Sequence, residues 1–215
     1  MSDKKYTREE EKFNVISHAV GILMSCVVGG IFLRVALNGG DIYLIVSVLL
    51  YVLGVSSSYV FSTAYHACSP LSPAKQLLRK FDHAAIYWHI AGCYSPVTLV
   101  ALRESGYWGW GLFVFVWLCA VVGTVLSLRR LKTHNRLETV CYVLMGMLVL
   151  VAFKPLMDAV PISVIAWLIA EGVCYVAGAV LYSFHRVKYM HSVFHVFVLL
   201  GDICHMLVVW YVLAK

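Results

Sequence analysis

His191 and His195 stand four residues apart near the C-terminal end of the chain. On a helix that spacing puts both imidazoles on one face, where they can grip a single metal ion. A third nitrogen must come from another segment, and His66 lies at the right depth. Three histidines plus an open position is the pattern of a catalytic zinc, as opposed to a closed structural site. Ser62 sits four residues before His66, on the same face. Asp82 could hold the metal's water or orient an imidazole. His-rich sites also suit copper, nickel and iron, so residue types alone do not single out zinc.

The elements that must carry these residues follow from composition. The chain has 215 residues, of which 61% are hydrophobic and 13% charged, against about 25% charged in a soluble domain. Mean hydropathy is +0.83. A water-soluble globule of this size could not hide so much apolar surface, which excludes a soluble enzyme, a nucleic-acid-binding domain and a disordered chain. The net charge of +6 lies between apolar runs, so the expected partners are membrane lipids and not nucleic acid. Crossing the hydrocarbon takes ~20 apolar residues as helix. Seven runs qualify: about 16–37, 43–65, 84–102, 107–128, 139–157, 161–184 and 190–214. The fifth is the weakest and extends past Lys154, which can snorkel. The runs are continuous rather than alternating, so helices are expected and strands are not. The expected fold is an all-α integral membrane protein, one seven-helix domain over 1–215 with a polar tail at 1–13. That polar start does not read as a signal peptide. The seven cysteines show no metal or redox spacing and read as packing residues.

Thirteen of the 17 Lys and Arg residues fall on the N-terminal side of such a bundle: Lys4, Lys5, Arg8, Lys12, Lys75, Arg79, Lys80, Arg129, Arg130, Lys132, Arg136, Arg186 and Lys188. Arg34, Arg103, Lys154 and Lys215 fall on the other. The positive-inside rule then puts the N-terminus in the cytoplasm and the C-terminus across the membrane. Odd spans begin, and even spans end, at the cytoplasmic face. His18, Ser62, His66, Asp82, His83, Glu138, His191 and His195 therefore share one layer. Glu11, Asn14 and His18 lie on one helical stripe at that depth, if the first helix starts before Glu11. Ordinary capping explains the first two but not His18, so the stripe is expected to face the bundle and support the metal site. His83, His134 and His185 read as solvated. His89 and His205 read as interhelical hydrogen-bonding groups, and Glu171 and Asp202 as acids that need partners at mid-membrane depth.

Taken in order, these motifs resemble the hemolysin III family of bacterial membrane proteins, within the progestin and adipoQ receptor (PAQR) group. They are Glu11-x-x-Asn14-x-x-x-His18, Ser62-x-x-x-His66, Asp82-His83 with Ala91-Gly92-Cys93-Tyr94-Ser95-Pro96 beyond it, and His191-x-x-x-His195. The resemblance implies a seven-helix bundle with a cytoplasmic N-terminus in a bacterial cell (inner) membrane. It implies one zinc ion held by His66, His191 and His195, with Asp82 and Ser62 beside the water that the metal binds. It also implies a link to ceramide-type hydrolysis and to membrane lipid and fluidity homeostasis.

Three functions are then open. The first is a zinc hydrolase cleaving a lipid amide or ester at the cytoplasmic leaflet, with Asp82 as general base and Ser62 orienting water or an oxyanion. The second is a non-catalytic sensor of membrane state in which zinc staples helices. The third is a pore-forming haemolysin, which ranks last because no span carries a repeating polar stripe.

Overall fold

The computed structural model describes residues 6–130, 136–184 and 187–214. His134 and His185 lie outside these residues. Thr7 opens the first helix through a capping box: its hydroxyl accepts from the Glu10 backbone N–H, and the Glu10 carboxylate accepts from the Thr7 N–H. Helix α1 spans Arg8–Gly39, which is earlier than hydropathy alone predicts, because the cap and three acids in its first turn favour helix before the apolar run begins. Gly40 ends it in the left-handed region at φ 70°, and Asp41 caps the next helix through the Tyr43 N–H. The remaining helices are α2 (Ile42–Ala67), α3 (Ala74–Pro96), α4 (Tyr107–Arg130), α5 (Arg136–Gly146), α6 (Phe153–Ala159), α7 (Ile162–Ser183) and α8 (Met190–Ala214). No strand occurs among the described residues.

Two helices depart from regular geometry for identifiable reasons. Pro96 has no N–H to continue the ladder of α3, and a π turn follows over Val97–Ala101, with Leu102 N–H donating to the Val97 carbonyl at 2.9 Å. Between α5 and α6 the chain passes through a 3-10 segment, Met147–Ala152. There the Tyr94 hydroxyl, reaching over from α3, donates to the Gly146 carbonyl at 2.7 Å and accepts from the Val149 N–H at 2.8 Å. A side chain inserted into the i→i−4 ladder breaks it at that point.

Six of the described stretches are long and apolar enough to cross a membrane: α1, α2, α4, the α5–α6 run, α7 and α8. Helix α3 carries Lys75, Arg79, Lys80 and Asp82 in its first turns, and its apolar part starts only after them. Large apolar side chains such as Leu23, Leu118, Val173 and Trp210 face outward, as lipid solvation allows. Inside, small residues bring helices close. A Cβ on Gly54 would stand 2.3 Å from the Trp88 carbonyl oxygen, so α2 and α3 cross backbone to backbone. A Cβ on Gly21 would run into the Tyr59 ring at 2.3 Å, so this glycine makes room for that tyrosine.

Candidate metal centre

His66 closes α2, and His191 and His195 open α8. His66 and His195 are buried and His191 half-buried. His191 Nε2 lies 3.0 Å from His66 Nε2 and 3.0 Å from His195 Nε2. Two nitrogens on a tetrahedral zinc at about 2.0–2.1 Å would stand ~3.3 Å apart, so the spacing suits a shared ion.

Protonation follows from the partners on the far side of each ring. The Glu11 carboxylate can only accept, so His66 Nδ1–H donates to Glu11 Oε2. Ser17 Oγ–H donates to the Asn14 carbonyl at 3.0 Å, which leaves Ser17 Oγ to accept from His195 Nδ1–H at 3.1 Å. Both rings therefore turn an Nε2 lone pair inward. His191 Nε2 carries at most one proton, so it can satisfy only one of the two. The cluster is short of donors, and a cation supplies what is missing. The residues present fit a metal.

Helix α1 supplies most of the support. Asn14 Oδ1 accepts from Ser192 Oγ at 2.6 Å, and Asn14 Nδ2 lies 3.3 Å from His66 Nδ1. The His18 ring stacks on His195, with centroids 3.7 Å apart, and its nitrogens have no hydrogen-bond partner among the described residues. Glu10, fully buried, accepts from the Tyr189 N–H at 3.0 Å. Tyr189 has a left-handed φ of 62°, uncommon for a non-glycine residue, two positions before His191. Glu10 thus holds the turn that aims α8. Spacing arguments passed over both Glu10 and Ser17. The signal for Glu10 was Thr7-x-x-Glu10, a capping box; Ser17 could have been flagged as a polar residue one turn after Asn14.

The two expected chemical groups are placed differently. Ser62 is buried one turn before His66 on α2. Asp82 is half-buried on α3, within electrostatic reach of Tyr6 and Tyr182. Both of those rings pack on His191, at centroid separations of 5.1 and 5.4 Å. Burial, followed by the phenol of Tyr182, raises the Tyr6 hydroxyl above its ordinary value. His83, expected to be solvated, instead pairs with Glu138 at 3.0 Å, and Ser127 Oγ donates to the other Glu138 oxygen.

Two further groups with metal-ligating atoms lie deeper: His89, Cys93 and Asp202; and Cys93, Glu171 and His205. Asp202 accepts from Tyr59, Tyr175 and His89 Nε2–H, the last at 2.8 Å, and Glu171 accepts from His205 Nδ1–H at 2.8 Å. His89 and His205 are thus interhelical hydrogen-bonding groups.

An all-helical chain with six membrane-length apolar helices and a histidine cluster where three helices meet is a multi-pass integral membrane protein. A family model described as Haemolysin-III related matches residues 6–206. Hemolysin-3 of Bacillus cereus is 32% identical over 194 residues, covering 90% of this chain and 87% of that protein. The Hemolysin-3 homolog of Bacillus subtilis (strain 168) is 32% identical over 197 residues, covering 92% and 91%. The chain belongs to the Haemolysin-III related family, and its place is a bacterial membrane.

Proposed function

We propose that the protein is a zinc-dependent hydrolase of a lipid amide or ester, working at the cytoplasmic leaflet. The observation that carries this reading is the convergence of three Nε2 atoms, two of them turned inward by Glu11 and Ser17. His66, His191 and His195 would hold the ion. Bound there, zinc would supply Lewis acidity at neutral pH. The Asp82 carboxylate takes a proton from the attacking water, and the Ser62 hydroxyl donates to oxygen charge developing on the substrate carbonyl. Hydrolysis adds water across the C–N or C–O bond: the acyl carbon keeps OH and the amine or alcohol leaves with the proton. A lipid suits the site because its polar linkage lies at headgroup depth.

The same reading takes α3 and its π turn as a seventh span, with the N-terminus inside and the C-terminus outside. The distribution of Lys and Arg supports this topology. Reporter fusions at Lys4 and Lys215 should report opposite sides; the same side for both overturns it.

A second reading has one observation behind it. Glu11, Asn14 and Ser17 tie α1 to α2 and α8 around the cluster, so zinc could staple those helices without turnover. Lipid release separates the two. Purified, zinc-loaded wild type and Asp82→Ala are incubated with lipid amides and esters, and products are read by mass spectrometry. Product from wild type only, at equal zinc content, supports the hydrolase; no product from either favours the staple.

A further inference from the structure

Arg8 and Lys12 stand four residues apart on one exposed side of α1. Neither has an ionic or hydrogen-bonding partner among the described residues. Two of the three acids around them are committed. Glu11 accepts from His66 and, at 3.2 Å, from Lys75 Nζ; Glu10 accepts from Thr7 and Tyr189. Glu9 is exposed about 100° around the helix from Arg8, but it stands three residues before Lys12, close enough to offset part of that charge. Two positive charges therefore face outward, with Glu9 as partial compensation. Below them the same side of α1 turns apolar, through Ile16, Val20, Leu23 and Val27, each more than half exposed. An open crevice of about 350 Å³ runs from the top of this stripe to His66: Arg8, Glu11, Lys12, Val15 and Ile16 line it on α1, His66 and Ala67 on α2.

We propose that this crevice holds one anionic phospholipid, with its phosphate between Arg8 and Lys12 and an acyl chain along the Ile16–Val27 stripe. The apolar stripe has no counterpart in a free phosphate ion, which makes the occupant a lipid. Arg8 and Lys12 both line the crevice and Glu9 does not, which favours a net negative headgroup. A zwitterionic lipid would bring an ammonium group close to the same two cations, which repel it. The polar linkage of the bound lipid would lie beside His66. On the hydrolase reading, which this substrate class rests on, the lipid cleaved is anionic; the binding itself needs no turnover.

Native mass spectrometry of the full-length protein tests this. The protein is titrated in detergent with phosphatidylglycerol or phosphatidylcholine of identical chains. Wild type should take up one phosphatidylglycerol with clear preference. The double variant Arg8→Gln/Lys12→Gln should lose that preference by about tenfold. Arg129→Gln/Lys188→Gln removes the same charge from two other exposed cations and should keep it. Millimolar inorganic phosphate should not displace the lipid; displacement would show a phosphate site and overturn the lipid assignment. Equal affinity for both lipids in wild type, or an unchanged preference in Arg8→Gln/Lys12→Gln, would overturn the proposal. So would an equal loss in the control, which reports net charge only. Lipid preference with no product in the release assay would sink the hydrolase and leave this site standing.

Discussion

The first turns of α8 carry His191 and His195, and further along the same helix come Asp202 and His205. The two regions use similar residue types and are both buried, yet their hydrogen-bond accounts differ. Around Asp202 each acid is answered by protein: two tyrosine hydroxyls and an imidazole on Asp202, an imidazole on Glu171. Around His66, His191 and His195 the inward atoms are three nitrogens, with the protons of two of them directed away. The deep acids are answered by protein donors, although His205 Nε2 and the Tyr51 hydroxyl have no hydrogen-bond partner among the described residues. The end region is left short of positive charge where three helices meet. Buried polar groups that answer one another hold helices together; buried lone pairs that face one another call for a ligand.

The largest effect should come from the lone pairs. Alanine at His66, His191 or His195 should remove most of the bound metal from protein that still folds, and the triple variant all of it. Elemental analysis of purified, monodisperse protein reads this directly. Full occupancy in the triple variant would sink the assignment and the contrast with it. A step below come the groups that turn the rings. Ser17→Ala and Glu11→Gln should each weaken metal retention about 10–100-fold, measured by competition with a chromogenic chelator. If neither variant differs from wild type, the ring orientations are not set by these partners.

Asp202→Ala should do the reverse. It removes the acceptor of three interhelical bonds, at roughly 0.6 kcal/mol each in membrane proteins, so folding should weaken by about 2 kcal/mol. Unfolding in mixed micelles would measure it. Metal per folded molecule should stay at the wild-type level. Loss of metal in Asp202→Ala without loss of stability would erase the distinction between the regions.

How much of this could be read from residues alone differs between the regions in the same way. The end cluster was legible because His66 ends one apolar run, His191 and His195 begin another, and i, i+4 histidines share a face. The deep partners were not, because which of Tyr59, Tyr175 and His89 reaches Asp202 depends on how four helices rotate about their axes. Gly21 and Gly54 set the close approaches there, and a glycine in an apolar run does not announce its neighbour. The break between α5 and α6 was hidden for the same reason. Its cause is the Tyr94 hydroxyl, some fifty residues away in sequence. Ser17 was hidden by its ordinariness, since a serine inside a span usually bonds its own helix. It does so here through the Asn14 carbonyl, and that bond is what frees its lone pair for His195.

The smallest effect is expected at the seam between the regions. His18 stacks on His195 on one side and meets the Tyr59 ring edge-on at 5.2 Å on the other. Tyr59 in turn donates to Asp202. Sequence reasoning gave His18 a supporting role because capping could not explain it. Its contact with the site is made by ring faces and not by a hydrogen bond, since neither nitrogen has a partner among the described residues. Aromatic contacts of this kind contribute about 0.5–1.5 kcal/mol, less than the hydrogen bond that fixes a ligand's tautomer. His18→Ala should therefore weaken metal retention only a few-fold, less than Ser17→Ala next to it. His18→Phe keeps a ring face and should restore most of the loss, which a role through nitrogen would not allow. Chelator competition on the three variants side by side decides it. If His18→Phe is as weak as His18→Ala, a ring nitrogen matters, and the seam belongs to the metal site's polar network and not to the packing between the two regions.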